Sequence, residues 1–230
     1  RVWNPAASGA AIEKEPEGHS NEVRALVTFT EPATGALRVA TGSYDETIRV
    51  WDAETSGVLL VLDVGSWVLA LAFFVDPATG APRLACTVGN RVRVFDPVAG
   101  GQALLVINVG DPVSALVVFE DPATGASRLA CGGYKLCVFD PGAGGEALVV
   151  IDVNARVLAF FADLATGAPR LACGCANGKV RIFDPVAGGD ALVVLEGHTD
   201  YVQALTVFTD PATGGLRLAS GSWDNSVRVW

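Results

Sequence analysis

Five aromatic residues, Trp51, Phe95, Phe139, Phe183 and Trp230, each end an apolar, β-branched segment, at intervals of 44, 44, 44 and 47 residues. Trp3 stands 48 residues before the first of them. A period in the forties means a tandem array of small structural units. A unit of that size cannot bury its own faces, so successive units must stack on one another. Stacks of this kind usually present surfaces to partners, which makes binding a better first expectation than catalysis.

Each unit reads as four short strands. In the last unit Ala191 to Leu195 is apolar and rich in Val, and Tyr201 to Phe208 alternates as a half-buried strand does. Asp210-Pro211-Ala212-Thr213-Gly214 is a turn, because Pro presets φ and Gly tolerates positive φ. Leu216 to Ser220 and Ser226 to Trp230 give two further strands around Trp223-Asp224-Asn225. The same turn recurs at Pro32–Gly35, Pro77–Gly80 and Pro122–Gly125, with Leu164 replacing the Pro once. A second Asp-Pro turn follows Phe95, Phe139 and Phe183. No stretch has helical periodicity. The expected fold class is all-β, with four-stranded antiparallel units ending near 51, 95, 139, 183 and 230 in one continuous array over 1–230. Residues 1–3 are then an orphan strand of a preceding unit.

Composition narrows the partners. The chain has 230 residues, half of them apolar, and a formal charge of -9. An acidic surface repels phosphate backbones and anionic lipid, so neither nucleic acid nor membrane is an expected partner. The apolar run from Trp67 to Val75 stops at Asp76, far short of a membrane helix. Three of the five cysteines, Cys86, Cys131 and Cys173, follow Leu-Ala at one repeat position. They read as small buried residues and not as a disulfide framework, which suits a reducing, cytoplasmic setting. Cys173-Gly174-Cys175 puts two thiols on one strand face, but no second pair or nearby His supports a metal site.

In a four-stranded meander the turns alternate between the two ends of the sheet. Both Pro/Gly turns therefore lie at one end and are nearly uniform among units. The opposite end varies: Gly18-His19-Ser20-Asn21-Glu22, Gly65-Ser66-Trp67, Gly110-Asp111-Pro112, Asn154-Ala155-Arg156 and Gly197-His198-Thr199-Asp200-Tyr201. Variable loops on a uniform scaffold are where binding specificity can be written.

Two stretches carry a family resemblance. Ala40-Thr41-Gly42-Ser43-Tyr44-Asp45 leading to Arg49-Val50-Trp51-Asp52, and Ala219-Ser220-Gly221-Ser222-Trp223-Asp224 leading to Arg228-Val229-Trp230, resemble the ending of the WD40 repeat. Each is preceded in phase by Gly-His, at Gly18-His19 and Gly197-His198. The resemblance implies a β-propeller with one blade per unit. It also implies a buried hydrogen-bond chain of His19, Thr41, Asp45 and Trp51 in the first unit and of His198, Ser220, Asp224 and Trp230 in the last. The three middle units depart together: no His, Phe for Trp, and Cys for the hydroxyl, which leaves no polar group stranded. Such propellers most often close with seven blades. Five units plus an orphan strand fit a stretch of a larger propeller, with further domains in a longer parent chain, better than closure with five. In a five-bladed closure, the strand at Ala10 to Glu15 would complete the last sheet.

The functional expectation is a non-enzymatic scaffold for a protein or peptide, bound on the face made by the variable loops. Trp67, Tyr201, Tyr44 and Trp223 fall at that end, and Glu22 and Arg156 occupy positions equivalent to Trp67 and Tyr201. Aromatics and Arg dominate binding hot spots, and an acidic face favours basic partner segments. No catalytic, metal or cofactor residues are expected: the turn-opening acids Glu31, Asp76, Asp121, Asp163 and Asp210 are copied from unit to unit, whereas a catalytic pair would be singular. The competing expectation is a propeller enzyme, or a propeller that binds a small ligand or glycan in its central channel. It suffers from the nearly apolar inner strands Val23–Phe29, Val68–Phe74, Val113–Phe119, Val157–Phe161 and Val202–Phe208.

Overall fold

The computed structural model describes residues 18–230, and among these there is no helix. The expected strands at Trp3 and at 10–15 lie outside the described residues. Every sheet is an antiparallel meander whose strand order follows the sequence. The first contains β1 (Val23–Thr30), β2 (Leu37–Ser43), β3 (Thr47–Asp52) and β4 (Val58–Asp63). The second contains β5 (Leu71–Val75), β6 (Pro82–Val88), β7 (Arg91–Phe95) and β8 (Leu105–Asn108). The third contains β9 (Val113–Glu120), β10 (Ser127–Gly133), β11 (Leu136–Phe139) and β12 (Val149–Ile151). The fourth contains β13 (Ala155–Ala162), β14 (Pro169–Cys175), β15 (Val180–Phe183) and β16 (Val193–Leu195). The last contains β17 (Val202–Thr209), β18 (Leu216–Ser222) and β19 (Val227–Val229), three strands and not four among the described residues.

The described residues divide into two compact units, one of 18–88 with 93–106 and one of 89–92 with 107–230. The core of the first joins Ala40, Ile48, Val50 and Leu62 to Val68, Leu71, Leu84, Cys86 and Phe95. Phe29 and Phe73 stack inside it with centroids 4.6 Å apart. The core of the second repeats this arrangement with Ala130, Leu136, Val138, Leu158, Leu171, Cys173 and Phe183. Its Phe119 and Phe160 stack at 5.1 Å. The shared register places equivalent residues alike. Cys86, Cys131 and Cys173 are fully buried, and all five thiols are free. Burial pushes the Cys86 thiol up to about 12, so it behaves as a small apolar side chain.

One inner strand is shorter than the sequence suggests. Residues 68–70 are not strand, although Val68 to Phe74 alternates no worse than its counterparts. The cause is Thr87. At the equivalent position of the neighbouring repeats stand Gly42 and Gly132, and a Cβ on Gly42 would come within 2.3 Å of Val68. In the second sheet the Thr87 hydroxyl accepts from the amides of Leu69 (2.8 Å) and Ala70 (3.1 Å), while the Thr87 amide still donates to the Ala70 carbonyl at 3.1 Å. The outer strands β16 and β19 are also shorter than expected. Their ladders nonetheless continue through the Leu192 amide to the Ile182 carbonyl and the Trp230 amide to the Leu218 carbonyl.

Candidate functional site: paired aromatic and cationic side chains on the variable loops

The loops at the variable end are held by a polar chain running through the sheet beneath them. In the first sheet Trp51 Nε1 donates to Thr41 Oγ1 at 2.8 Å, and Thr41 Oγ1 lies 2.7 Å from His19 Nε2. His19 Nδ1 lies 2.8 Å from Asp45 Oδ2. With the indole donating to the hydroxyl and Nδ1–H to the carboxylate, the hydroxyl can donate to Nε2, and every member of the chain has a partner, as a buried polar group requires. The last sheet repeats the chain through Trp230, Ser220, His198 and Asp224 at 2.9, 2.8 and 2.8 Å.

Two members had escaped the sequence reading. Thr47 Oγ1 donates to Asp45 Oδ1 at 2.7 Å, and Ser226 Oγ donates to Asp224 Oδ1 at 2.6 Å. Their signal was a hydroxyl two residues after the Asp in both intact repeats. For Asp45, burial alone would raise the pKa. The Thr47 hydroxyl, His19 and the Ser20 and Thr47 amides outweigh it and hold the carboxyl far below 3.8. For Asp224 the Ser226 hydroxyl is the largest cause, with the Thr199 amide and His198 acting in the same direction.

At the opposite end the side chains of Asp76, Asp121, Asp163 and Asp210 cap their own turns, and Arg38, Arg83, Arg128 and Arg217 on the second strands pair with Glu31, Asp76, Asp121 and Asp210. Arg38 bridges Glu31 (2.8 Å) and Asp52 (2.6 Å), and Arg128 lies 3.4 Å from Asp121 and 3.8 Å from Asp140. The pKa values of the four turn-opening aspartates are lowered too. The leading cause is the Thr79 hydroxyl for Asp76, the Ala123 amide for Asp121, the Thr166 hydroxyl for Asp163 and the Ala212 amide for Asp210. A carboxyl with a depressed folded pKa is protonated more readily in the unfolded chain. Its stabilisation is complete above the unfolded value and is lost as pH falls through 3.8 toward the folded value. The urea midpoint should therefore stay level from pH 7 to about 5 and fall steeply below about 4. A midpoint unchanged at pH 3 would contradict this account.

Above this frame, each unit carries its own aromatic ladder. In the first, Tyr44 and Trp67 pack with centroids 4.9 Å apart, and the Arg24 guanidinium lies 5.3 Å from the Tyr44 centroid. Glu22 flanks Arg24 at 3.7 Å. In the second, Tyr201 and Trp223 pack at 5.2 Å, and Arg156 sits 5.2 Å from the Tyr201 centroid. Arg156 Nε is buried without a hydrogen-bond partner, so its guanidinium is held by the ring face. Trp67 and Trp223 remain 59% and 58% exposed. The loops beneath are pinned alike: the Tyr44 amide donates to the Glu22 carbonyl and the Trp223 amide to the Tyr201 carbonyl, each at 3.0 Å. Ser43 and Ser222 hydroxyls donate to the Asn21 and Asp200 carbonyls. Exposed indoles on loops this well tied are preorganised for contact.

A family model described as "WD domain, G-beta repeat" matches residues 12–52 and 189–230. Among solved structures, the chain is similar to Sqt1 of Saccharomyces cerevisiae, with a TM-score of 0.72 at 17% identity over 93% of this chain. It spans 60% of that structure's length. It is also similar to the computationally designed Ika8 protein, with a TM-score of 0.58 at 23% identity, covering 93% of this chain and 72% of that one. At these identities the likeness is one of fold. No curated protein matches the chain. WD40 propellers generally bind proteins or peptides. The WD40 repeat is thus matched over residues 12–52 and 189–230, and antiparallel sheets of the same kind occupy the sequence between them.

Proposed function

We propose that this chain is a non-enzymatic interaction scaffold that binds a protein or peptide through its variable loops, with Trp67 and Tyr44 in one unit and Tyr201 and Trp223 in the other as anchors. The observation that supports this most is the pair of equivalent ladders, each presenting a half-exposed indole backed by a Tyr and an Arg. Exposed Trp at fixed positions is costly to solubility and is typical of hot spots. Basic segments are the preferred partners. The chain carries a charge of -9, and Glu22 and Asp200 are exposed beside the ladders. Five free, buried thiols fit a reducing, cytoplasmic setting.

The test is a random-peptide display selection on the wild-type protein, followed by affinity measurement on Trp67→Ala/Trp223→Ala. Enriched peptides should be rich in Lys and Arg, and the double substitution should weaken them at least about tenfold. The melting temperature should stay within about 2 °C, because both side chains are largely exposed. Peptides that bind wild type and variant equally would refute the assignment.

A further inference from the structure

The second unit contains a cleft of about 670 Å³ beside Tyr201, distinct from the exposed indoles. Three separate stretches wall it: the end of β12 with its link to β13 (Asp152, Asn154), the β14–β15 turn with the start of β15 (Asn177, Arg181), and the loop before β16 (Asp190). Its size is within the range that accommodates small ligands or a short peptide stretch.

The polar groups here are unusually free. Asp152 and Asp190 are both exposed, and neither has a cationic partner among the described residues. Their neighbours differ: Glu196 holds Lys179 at 2.6 Å, and Asp184 holds Arg170 at 3.7 Å. Arg181 is also set differently from its counterpart. In the second sheet, Arg93 at the equivalent position donates to the Val64 carbonyl at 3.1 Å. Arg181 instead turns to the buried Cys175 Sγ at 3.4 Å, a weak acceptor. Arg181 lines the cleft, and beyond the Cys175 contact its donors have no hydrogen-bond partner among the described residues. Asn154 and Asn177 add amide groups that both donate and accept, the chemistry that pairs with a peptide main chain.

We infer that this cleft takes a lysine or arginine side chain of a partner segment, received between Asp152 and Asp190, while Arg181 and the two Asn amides hold the flanking main-chain carbonyls and amides. Tyr201 joins the cleft to the aromatic ladder, so a bound basic segment would continue onto Trp223. The charge balance favours a cation, because two carboxylates without a cationic partner share the cleft lining with a single guanidinium. This inference rests on the reading of the chain as a binder of basic segments, and it names where the basic residue goes.

The probes are labelled nine-residue Ala/Gly peptides with central Lys-Arg-Lys, three norleucines, or three Glu, titrated by fluorescence polarisation. The proteins are the wild type, Asp152→Asn/Asp190→Asn, a charge-matched control Glu54→Gln/Glu146→Gln, and Trp67→Ala/Trp223→Ala. The basic peptide should bind the wild type and lose at least tenfold in affinity on the Asp152→Asn/Asp190→Asn protein. The control should change it less than twofold, and the norleucine and Glu peptides should bind at least tenfold more weakly throughout. An equal loss in the control would mean that net charge alone attracts the peptide, which overturns the inference. Loss only with the Trp pair would overturn the cleft assignment while leaving the interaction surface in place. Failure of the basic peptide to bind the wild type would overturn it outright.

Discussion

Replacing Gly178 by Ala should destabilise the protein by about 2–5 kcal/mol. Two costs add. Gly178 sits at φ +76, a conformation that L side chains reach only with strain of about 1–2 kcal/mol. A Cβ there would also lie 2.5 Å from the carbonyl oxygen of His198 and 3.3 Å from that of Asp200. Those are backbone atoms, so no rotamer change relieves the clash, and overpacking adds about 1–3 kcal/mol. The damage is directed, because the displaced residue is the His at the centre of the last sheet's polar chain. Gly80→Ala separates the two costs. It shares the positive φ, at +69, but has nothing within 4 Å of the added carbon. It should lose only the strain, about 1–2 kcal/mol. Urea titrations of both variants check this, and equal losses would show that the His198 contact is not constraining.

Thr41→Val should cost about 2–3 kcal/mol, seen as a fall of roughly 5–10 °C in melting temperature. The substitution keeps shape and removes one hydroxyl. That oxygen accepts from Trp51 Nε1 and lies beside His19 Nε2, so both nitrogens lose their partner at once. An unsatisfied buried group costs about 1–3 kcal/mol. The middle sheets indicate how the loss can be mitigated. There Cys86 with Phe95 and Cys173 with Phe183 are members of the apolar cores, and Cys131 and Phe139 are buried likewise. Trp51→Phe added to Thr41→Val should therefore cost less than the sum of the two single changes, with a coupling of about 1 kcal/mol. Strict additivity would mean that the indole and hydroxyl act independently.

The sheets were legible because their signal is short-range and repeated. The Asp-Pro/Gly turns and the aromatic period mark where each unit and most of its strands lie, although β5, β16 and β19 are shorter than expected. The residues named for the polar chain could be found for the same reason, since Gly-His and the Trp-Asp turn recur in phase. What escaped depends on distances between segments far apart in sequence. Nothing local to Val68 announces that the Thr87 hydroxyl will take over its neighbours' amides. The Arg38 clamp on Glu31 and Asp52 joins two turns that look independent on the page. Arg156 was placed by alignment with Trp67 and Tyr201, but its position over the Tyr201 ring follows from sheet stacking. The cleft beside Tyr201 is built from three loops spread over residues 150–191, each unremarkable alone. The open side chains of Asp152 and Asp190 become meaningful only once those loops are brought together.

The most direct test of the interaction surface is hydrogen exchange on the protein with and without a selected basic peptide. Binding through the variable loops should slow exchange around residues 21–24, 44–46 and 65–68 in the first unit, or 199–202 and 222–225 in the second. The Pro-Ala-Thr-Gly turns at the opposite end of the sheets should be unchanged. Protection confined to those turns, with the variable loops exchanging as before, would contradict the account.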